Sequence, residues 1–154
     1  MPQIDVQRIF LESASEVLET MFFTGVADED MQEESDALIC SELTFHGSPS
    51  GRFGVRVPAH TARTIAASFL GLDESEVLPS QVADVICELT NMFCGSVLSR
   101  VEAGARFELM HPEITSVNED WRQLPNAMGC TLGIEEGTVT LWMTTDGNRP
   151  AMVA

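Results

Sequence analysis

The sequence has 154 residues, of which 24 are acidic and 8 are basic, and its formal net charge is −16 at pH 7. A charge of this sign repels nucleic acid and anionic membrane surfaces, so neither is expected as a partner. With 44% hydrophobic residues, a chain of this length is expected to form one domain, residues 1–154, around one core.

Targeting and metal signals are weak. The sequence begins without a basic segment followed by an apolar run, and no stretch is expected to reach membrane-spanning length, which predicts a soluble, cytoplasmic protein. The cysteines form no CxxC pair and are interpreted as packing residues in a reducing compartment; they are Cys40, Cys87, Cys94 and Cys130. The three histidines are scattered, so no metal site is predicted.

The first half of the chain predicts a helix followed by a hairpin. Apolar residues recur every three to four positions over 6–21, which is typical of an amphipathic helix that ends before Gly25. The acidic segment 27–36 is interpreted as a solvated loop. Alternating residues predict strands at 38–46 and 52–57, joined by a Gly/Ser/Pro turn.

Two more helices are predicted next. Pro58 opens a helix over 59–70 that Gly71 ends, and Pro79-Ser80 offers an N-cap for a longer helix that runs to about Arg100. The residues of the shorter helix that are expected to point inward are Ala62, Ile65, Ala66, Phe69 and Leu70.

The last part of the chain predicts a strand at 107–110, ended by His111-Pro112, and a hairpin of 131–134 with 138–144. The strand 138–144 is interpreted as a possible sheet edge that pairs with a second subunit. The element order predicts an α+β fold, with a largely antiparallel sheet and helices packed on one side.

The long helix carries a narrow polar stripe. At about 100° per residue, Asp84, Glu88, Asn91 and Gly95 lie within about 60° of one another. The opposite side is apolar and suited to packing on a sheet; it consists of Val82, Ile86, Leu89, Phe93 and Val97. A solvated helix face explains such a stripe equally well, but Asn and Gly are weak helix formers and their presence favours a functional reason.

The stripe carries a family resemblance. Asp84-x3-Glu88-x2-Asn91, followed by Gly95 and Pro112, resembles the D/S-x3-E-x2-N signature and distal proline of CheC/CheX-type chemotaxis phosphatases. Twenty residues separate Asn91 from Pro112, slightly fewer than in the family pattern. The order of helices and strands fits the same family over nearly the whole chain.

The resemblance implies a fold of two pseudo-symmetric halves, and double-site members of the family carry the signature in both halves. In the first helix, Ser15-x3-Glu19-x2-Phe22 has the right spacing but a phenylalanine where asparagine is required. The chain is therefore most similar to the single-site, CheX-like members, with its site in the later helix.

The resemblance also implies a function: hydrolysis of the aspartyl-phosphate of a phosphorylated, CheY-like response regulator. Asn91 is expected to orient the attacking water and Glu88 to pair with the regulator's active-site lysine, while Asp84 and Gly95 contact the partner. The chain needs no cofactor of its own, because Mg²⁺ is expected on the regulator. A homodimer is also expected.

Two other interpretations remain open. The same fold could bind a response regulator or a flagellar switch component without catalysis. A generic α+β dimerisation domain with a merely solvated stripe is the third possibility.

Overall fold

The computed structural model describes residues 6–22, 25–28, 37–101, 104–115 and 120–146. The helices are α1 (Val6–Met21), α2 (Ala59–Leu70) and α3 (Pro79–Val101). The strands are β1 (Val26–Asp28), β2 (Leu38–His46), β3 (Gly51–Pro58), β4 (Glu108–Leu109), β5 (Glu113–Thr115), β6 (Ala127–Ile134) and β7 (Gly137–Thr145). Two short 3-10 helices span Glu74–Glu76 and Trp121–Gln123.

The described strands form one antiparallel sheet in the order β1-β6-β7-β3-β2-β4, with β5 also paired to β2. This order is pseudo-symmetric about the central pair of β3 and β7. In each half a helix is followed by a short edge segment and two long strands, and the edge segment of one half pairs with a strand of the other. The predicted α+β architecture is confirmed.

The apolar faces of the strands and of the helices pack together in one core. Side chains of β3 and β7 that alternate along their strands, such as Val55 and its register partner Leu141, are buried with residues of all three helices. The whole predicted apolar side of α3 is buried, as expected: Val82, Ile86, Leu89, Phe93 and Val97. Because this apolar side packs against the sheet, the polar stripe of α3 faces away from the sheet.

The apolar content of α3 has a second consequence. By length and composition alone the helix is long and apolar enough to cross a membrane, contrary to the expectation from the sequence. Half of its most apolar stretch is buried inside the fold. Packing against the sheet and against α1 and α2 accounts for this composition.

The helix ends agree with the sequence except at the start of α3. Gly71 follows α2 with φ of 70°, a left-handed conformation that glycine adopts without strain, and so ends the helix as predicted. Ser80 was predicted as the N-cap of α3 but lies inside the helix. The Gln81 side chain instead accepts a hydrogen bond from the Leu78 amide at 2.8 Å. Pro79 is the first residue of the helix, a position where a backbone N–H has no partner within the helix, so its missing N–H costs no hydrogen bond.

Several strand predictions need correction. The strand 138–144 is not an edge, because β7 lies between β6 and β3, and so it has no free edge for a second subunit. Val26–Asp28 is a strand although the acidic loop was predicted from Ala27; residues 29–36 lie outside the described residues. Glu113–Thr115 forms a strand that the alternation pattern is too short to reveal.

Candidate functional site

The polar stripe of α3 faces outward from the helical layer. Asp84 and Glu88 are exposed and Asn91 is half-buried. Residues three and four apart on a helix are neighbours, so the Glu88 side chain stands between that of Asp84, one turn before it, and that of Asn91, one turn after it. The stripe therefore presents two carboxylates and one carboxamide to a partner on a rigid element.

An open groove runs along one side of this stripe. Its lining residues come from α3, from the last residue of β4 and from the segment between β4 and β5: Asp84, Cys87, Glu88, Asn91, Leu109, Met110, His111 and Pro112. The structure thus brings together Pro112 and the three signature residues of α3, across the twenty residues that separate Asn91 from Pro112.

Strand β2 fixes the wall of this groove that faces α3. Phe45 of β2 pairs with Leu109 in β4, and Glu42 of β2 pairs with Glu113 in β5. Between these two pairings, the Met110 amide donates a hydrogen bond to the Thr44 carbonyl at 2.8 Å. Because the chain is held to β2 on both sides of Pro112, the His111-Pro112 turn is fixed next to the stripe.

Gly95 lies on the same helix face, one turn beyond Asn91, and does not line the groove. It is exposed, and a Cβ placed on it would meet nothing within 4 Å. The fold therefore does not require glycine here. What the glycine provides is a low surface beside Asn91 that another molecule can approach closely.

The electrostatic environment of the groove is acidic. Partial burial raises the pKa of the Cys87 thiol, and the carboxylates of Asp84, Glu113 and Glu88 raise it further. The Ser41 hydroxyl donates a hydrogen bond to Cys87 Sγ at 3.7 Å, and this hydrogen bond lowers the pKa of the thiol. A raised pKa favours the protonated form of the Cys87 thiol.

The corresponding position in α1 has a different character. Phe22, at the place of the signature asparagine, is 1% exposed and stacks on Phe69 with ring centroids 4.8 Å apart. Glu19 is exposed, and Ser15 is half-buried. At the described positions 15, 19 and 22, the first half of the chain thus carries a carboxylate but no carboxamide.

Sequence reasoning missed the groove residues Met110 and His111, which were interpreted as the end of a strand and as surface. Their position next to Pro112 was the only available signal. Within the described ranges, no group of three or more His, Cys, Asp or Glu residues is arranged to hold a metal ion. The groove contains a carboxylate, Glu88, which can pair with a cation, and a carboxamide, Asn91, which can both donate a hydrogen bond to a water and accept one from it.

Comparisons with known proteins agree on one family. The family described as "Chemotaxis phosphatase CheX" matches residues 39–125, and no curated protein sequence matches the chain. Among solved structures, CheX in the Borrelia burgdorferi CheX-CheY-BeF3-Mg complex is similar over 93% of this chain and 99% of its own, at 18% identity and a TM-score of 0.73.

Two further solved structures have the same fold. CheX from Vibrio vulnificus covers 95% of this chain and 99% of its own length, with 18% identity and a TM-score of 0.72. CheX from Desulfovibrio desulfuricans covers 93% of this chain and all of its own, with 15% identity and a TM-score of 0.70.

Proposed function

The chain belongs to the CheX family of chemotaxis phosphatases, and from this premise we propose that it hydrolyses the aspartyl-phosphate of a CheY-type response regulator. The observation that carries the proposal is the pairing of Glu88 with Asn91 on the outward face of α3, beside a groove that Pro112 also lines. The CheX of the Borrelia complex, which was solved with CheY, BeF3 and Mg, supports a CheY-type partner.

An acyl phosphate on aspartate is already activated, so a phosphatase needs to add little beyond a positioned water. In the proposed mechanism the Asn91 carboxamide oxygen accepts a hydrogen bond from one O–H of the water, and its NH2 group donates one to the water oxygen. The remaining lone pair of the water then points in line with the breaking P–O bond. Positioning of this kind can contribute several orders of magnitude in rate. An uncharged amide also avoids repelling the phosphoryl oxygens.

Glu88 has a docking role in this proposal. Its carboxylate pairs with the cationic active-site residue that a response regulator uses to stabilise its phosphoryl group, and this pairing fixes the register of α3. Asp84, one turn earlier on the exposed face, extends the contact, and Gly95 allows close approach of the partner's backbone. The metal, Mg²⁺, belongs to the regulator rather than to this chain.

The setting of this activity is also a proposal. We place the protein in the cytoplasm, where response regulators are phosphorylated. We also propose a homodimer that leaves the α3 stripe free for the regulator. Because β7 is central, such a dimer has to form through another sheet edge or through a helix face.

Phosphate release from a phosphorylated CheY-type regulator tests the proposal. The wild-type protein should accelerate release, and Glu19→Ala should do the same, because Glu19 is an exposed glutamate at the matching position of α1 without a neighbouring carboxamide. Binding of the activated regulator without any acceleration would favour the alternative function, a non-catalytic module that binds a regulator or a flagellar switch component.

A further inference from the structure

A second groove lies on the other side of the α3 stripe. Its lining is mostly apolar and comes from all three helices: Met21, Phe69, Leu70, Gln81, Asp84, Val85, Glu88 and Met92. Asp84 and Glu88 line this groove as well as the polar one that contains Asn91 and Pro112. The two carboxylates therefore form a ridge between a polar groove and an apolar groove.

Solvent exposure makes the apolar groove unusual for the surface of a highly acidic chain. Met21 is 40% exposed and Leu70 is 39% exposed. Leu70 was expected to point inward, and its exposure corrects that prediction. It is the last residue of α2, and its side chain lines the groove instead of joining the buried core.

Aromatic stacking stabilises the floor of the groove. Phe69, which lines it, stacks on the buried Phe22, the residue that follows α1. Phe22 is the residue that stands in place of the signature asparagine in the first half of the chain. Phe22, which replaces the signature asparagine, thus also supports an apolar surface beside the α3 site.

The area that a protein interface needs, compared with the width of α3, indicates which molecule covers this groove. A helix with its side chains is about 10–12 Å across. A stable protein interface buries about 800 Å² on each partner, far more than one ridge of two carboxylates offers. A partner centred on Glu88 and Asn91 therefore extends over the neighbouring surface on both sides of α3, and one of those sides is the apolar groove.

We propose that this groove is a second docking surface for the response regulator, and that it receives an apolar side chain of the regulator with a basic residue beside it. The apolar walls match the apolar side chain, and the carboxylates of Asp84 and Glu88 on the rim match the basic residue. The proposal rests on the proposed function, because the ridge that the two grooves share is the site assigned to the regulator.

Leu70→Ser and Met21→Ser test the proposal, because each removes apolar surface from the groove at a partly exposed position outside the α3 stripe. The matched control is Leu78→Ser, since Leu78 is a 59% exposed leucine that does not line the groove. The probe is a CheY-type regulator activated with beryllofluoride and Mg²⁺, with the dissociation constant measured by titration calorimetry.

Each groove variant should raise this dissociation constant about tenfold, the effect of losing one well-buried apolar contact. Leu78→Ser should leave it within about twofold of wild type. In phosphate-release assays, the groove variants should raise KM while kcat at saturating regulator stays near the wild-type value, because the Asn91 carboxamide is unchanged.

Hydrogen exchange on the wild-type protein gives a test that needs no variant. Binding of the activated regulator should slow amide exchange near the C-terminal ends of α1 and α2, at residues 18–22 and 66–72. Unchanged exchange there, or groove variants that bind like Leu78→Ser, would overturn the second surface while leaving catalysis by Asn91 intact. Failure of the phosphatase function would instead appear as absent phosphate release by the wild type, whatever the groove variants do.

Discussion

Phe22 and Phe69 stack with ring centroids 4.8 Å apart, and this contact joins the ends of α1 and α2 at the position where a second signature asparagine would stand. Because Phe22 is 1% exposed, its ring belongs to the core and not to a surface site. The phenylalanine that interrupts the signature in the first half of the chain thus has a packing role in the core.

Phe22→Asn restores the signature spacing in α1 but should not create a second site. The substitution removes a buried aromatic ring and buries an amide, so we expect it to lower the free energy of unfolding by about 3–5 kcal/mol in urea titrations. In an Asn91→Ala background it should not restore phosphate release. Recovery of activity in that double variant would contradict a structural role for Phe22.

Gly95→Ala should raise the stability of the fold but weaken binding of the regulator. A Cβ at position 95 meets nothing within 4 Å, so alanine should stabilise α3 by up to about 1 kcal/mol in thermal or urea unfolding. The same methyl group should weaken binding of the activated regulator, because it raises the surface beside Asn91. The control is Ser99→Ala, one turn farther along the helix on another exposed position. Unimpaired binding by Gly95→Ala would remove Gly95 from the interface.

Glu88→Ala should weaken association with the regulator as well as reduce turnover. Loss of a charge pair formed on docking is expected to raise the dissociation constant about tenfold or more. Rising salt should weaken wild-type binding and affect Glu88→Ala less, because screening acts on the pair that the substitution deletes. Glu19→Ala provides the control, and an equal salt dependence for Glu88→Ala and wild type would contradict the docking role.

Alkaline pH should destabilise the fold through the buried thiol of Cys94 and the partly buried thiol of Cys87. Burial raises the pKa of Cys94, and burial with nearby carboxylates raises that of Cys87, so both stay protonated in the folded state at a pH where the unfolded chain begins to ionise. Their contribution to stability is complete below the unfolded pKa of about 8.5 and is lost as pH rises through the higher folded values. Urea titrations at pH 7.5 and 10 should show this fall.

Cys94→Ala separates this effect from general alkaline denaturation. The variant should be less stable at neutral pH, because it leaves a cavity, but its stability should fall less steeply above about pH 8.5 than that of the wild type. Equal slopes for the two proteins would contradict a raised pKa at Cys94.

Local patterns predicted most of the fold. Helix α1 and helix α2 have the predicted bounds, 6–21 and 59–70, and the burial of Leu89 and Phe93 follows directly from helical periodicity. The α3 stripe could be placed without a structure because helix geometry alone fixes which residues share a face.

Longer-range relationships were beyond sequence patterns. Nothing in the alternation of 138–144 reveals that β7 is central, because apolar alternation shows which face of a strand meets the core and not how many strands flank it. The strand predicted at 107–110 contains β4, but the three-residue strand β5 is too short for a periodic signal, so the groove wall around His111 was missed. The apolar groove could not be predicted either. The helical period places Leu70 on the inward face of α2, but Leu70 is the last residue of the helix before Gly71.

Single-turnover dephosphorylation by Asn91→Ala tests the central claim most directly. With the phosphatase in saturating excess over the phosphorylated regulator, the variant should bind nearly as tightly as wild type but release phosphate about 10²-fold more slowly or worse, because the water is no longer oriented. Asn91→Gln, which keeps the carboxamide but moves it by one methylene, should retain part of the rate. If Asn91→Ala released phosphate as fast as wild type, the assignment of Asn91 as the water-positioning residue would be wrong.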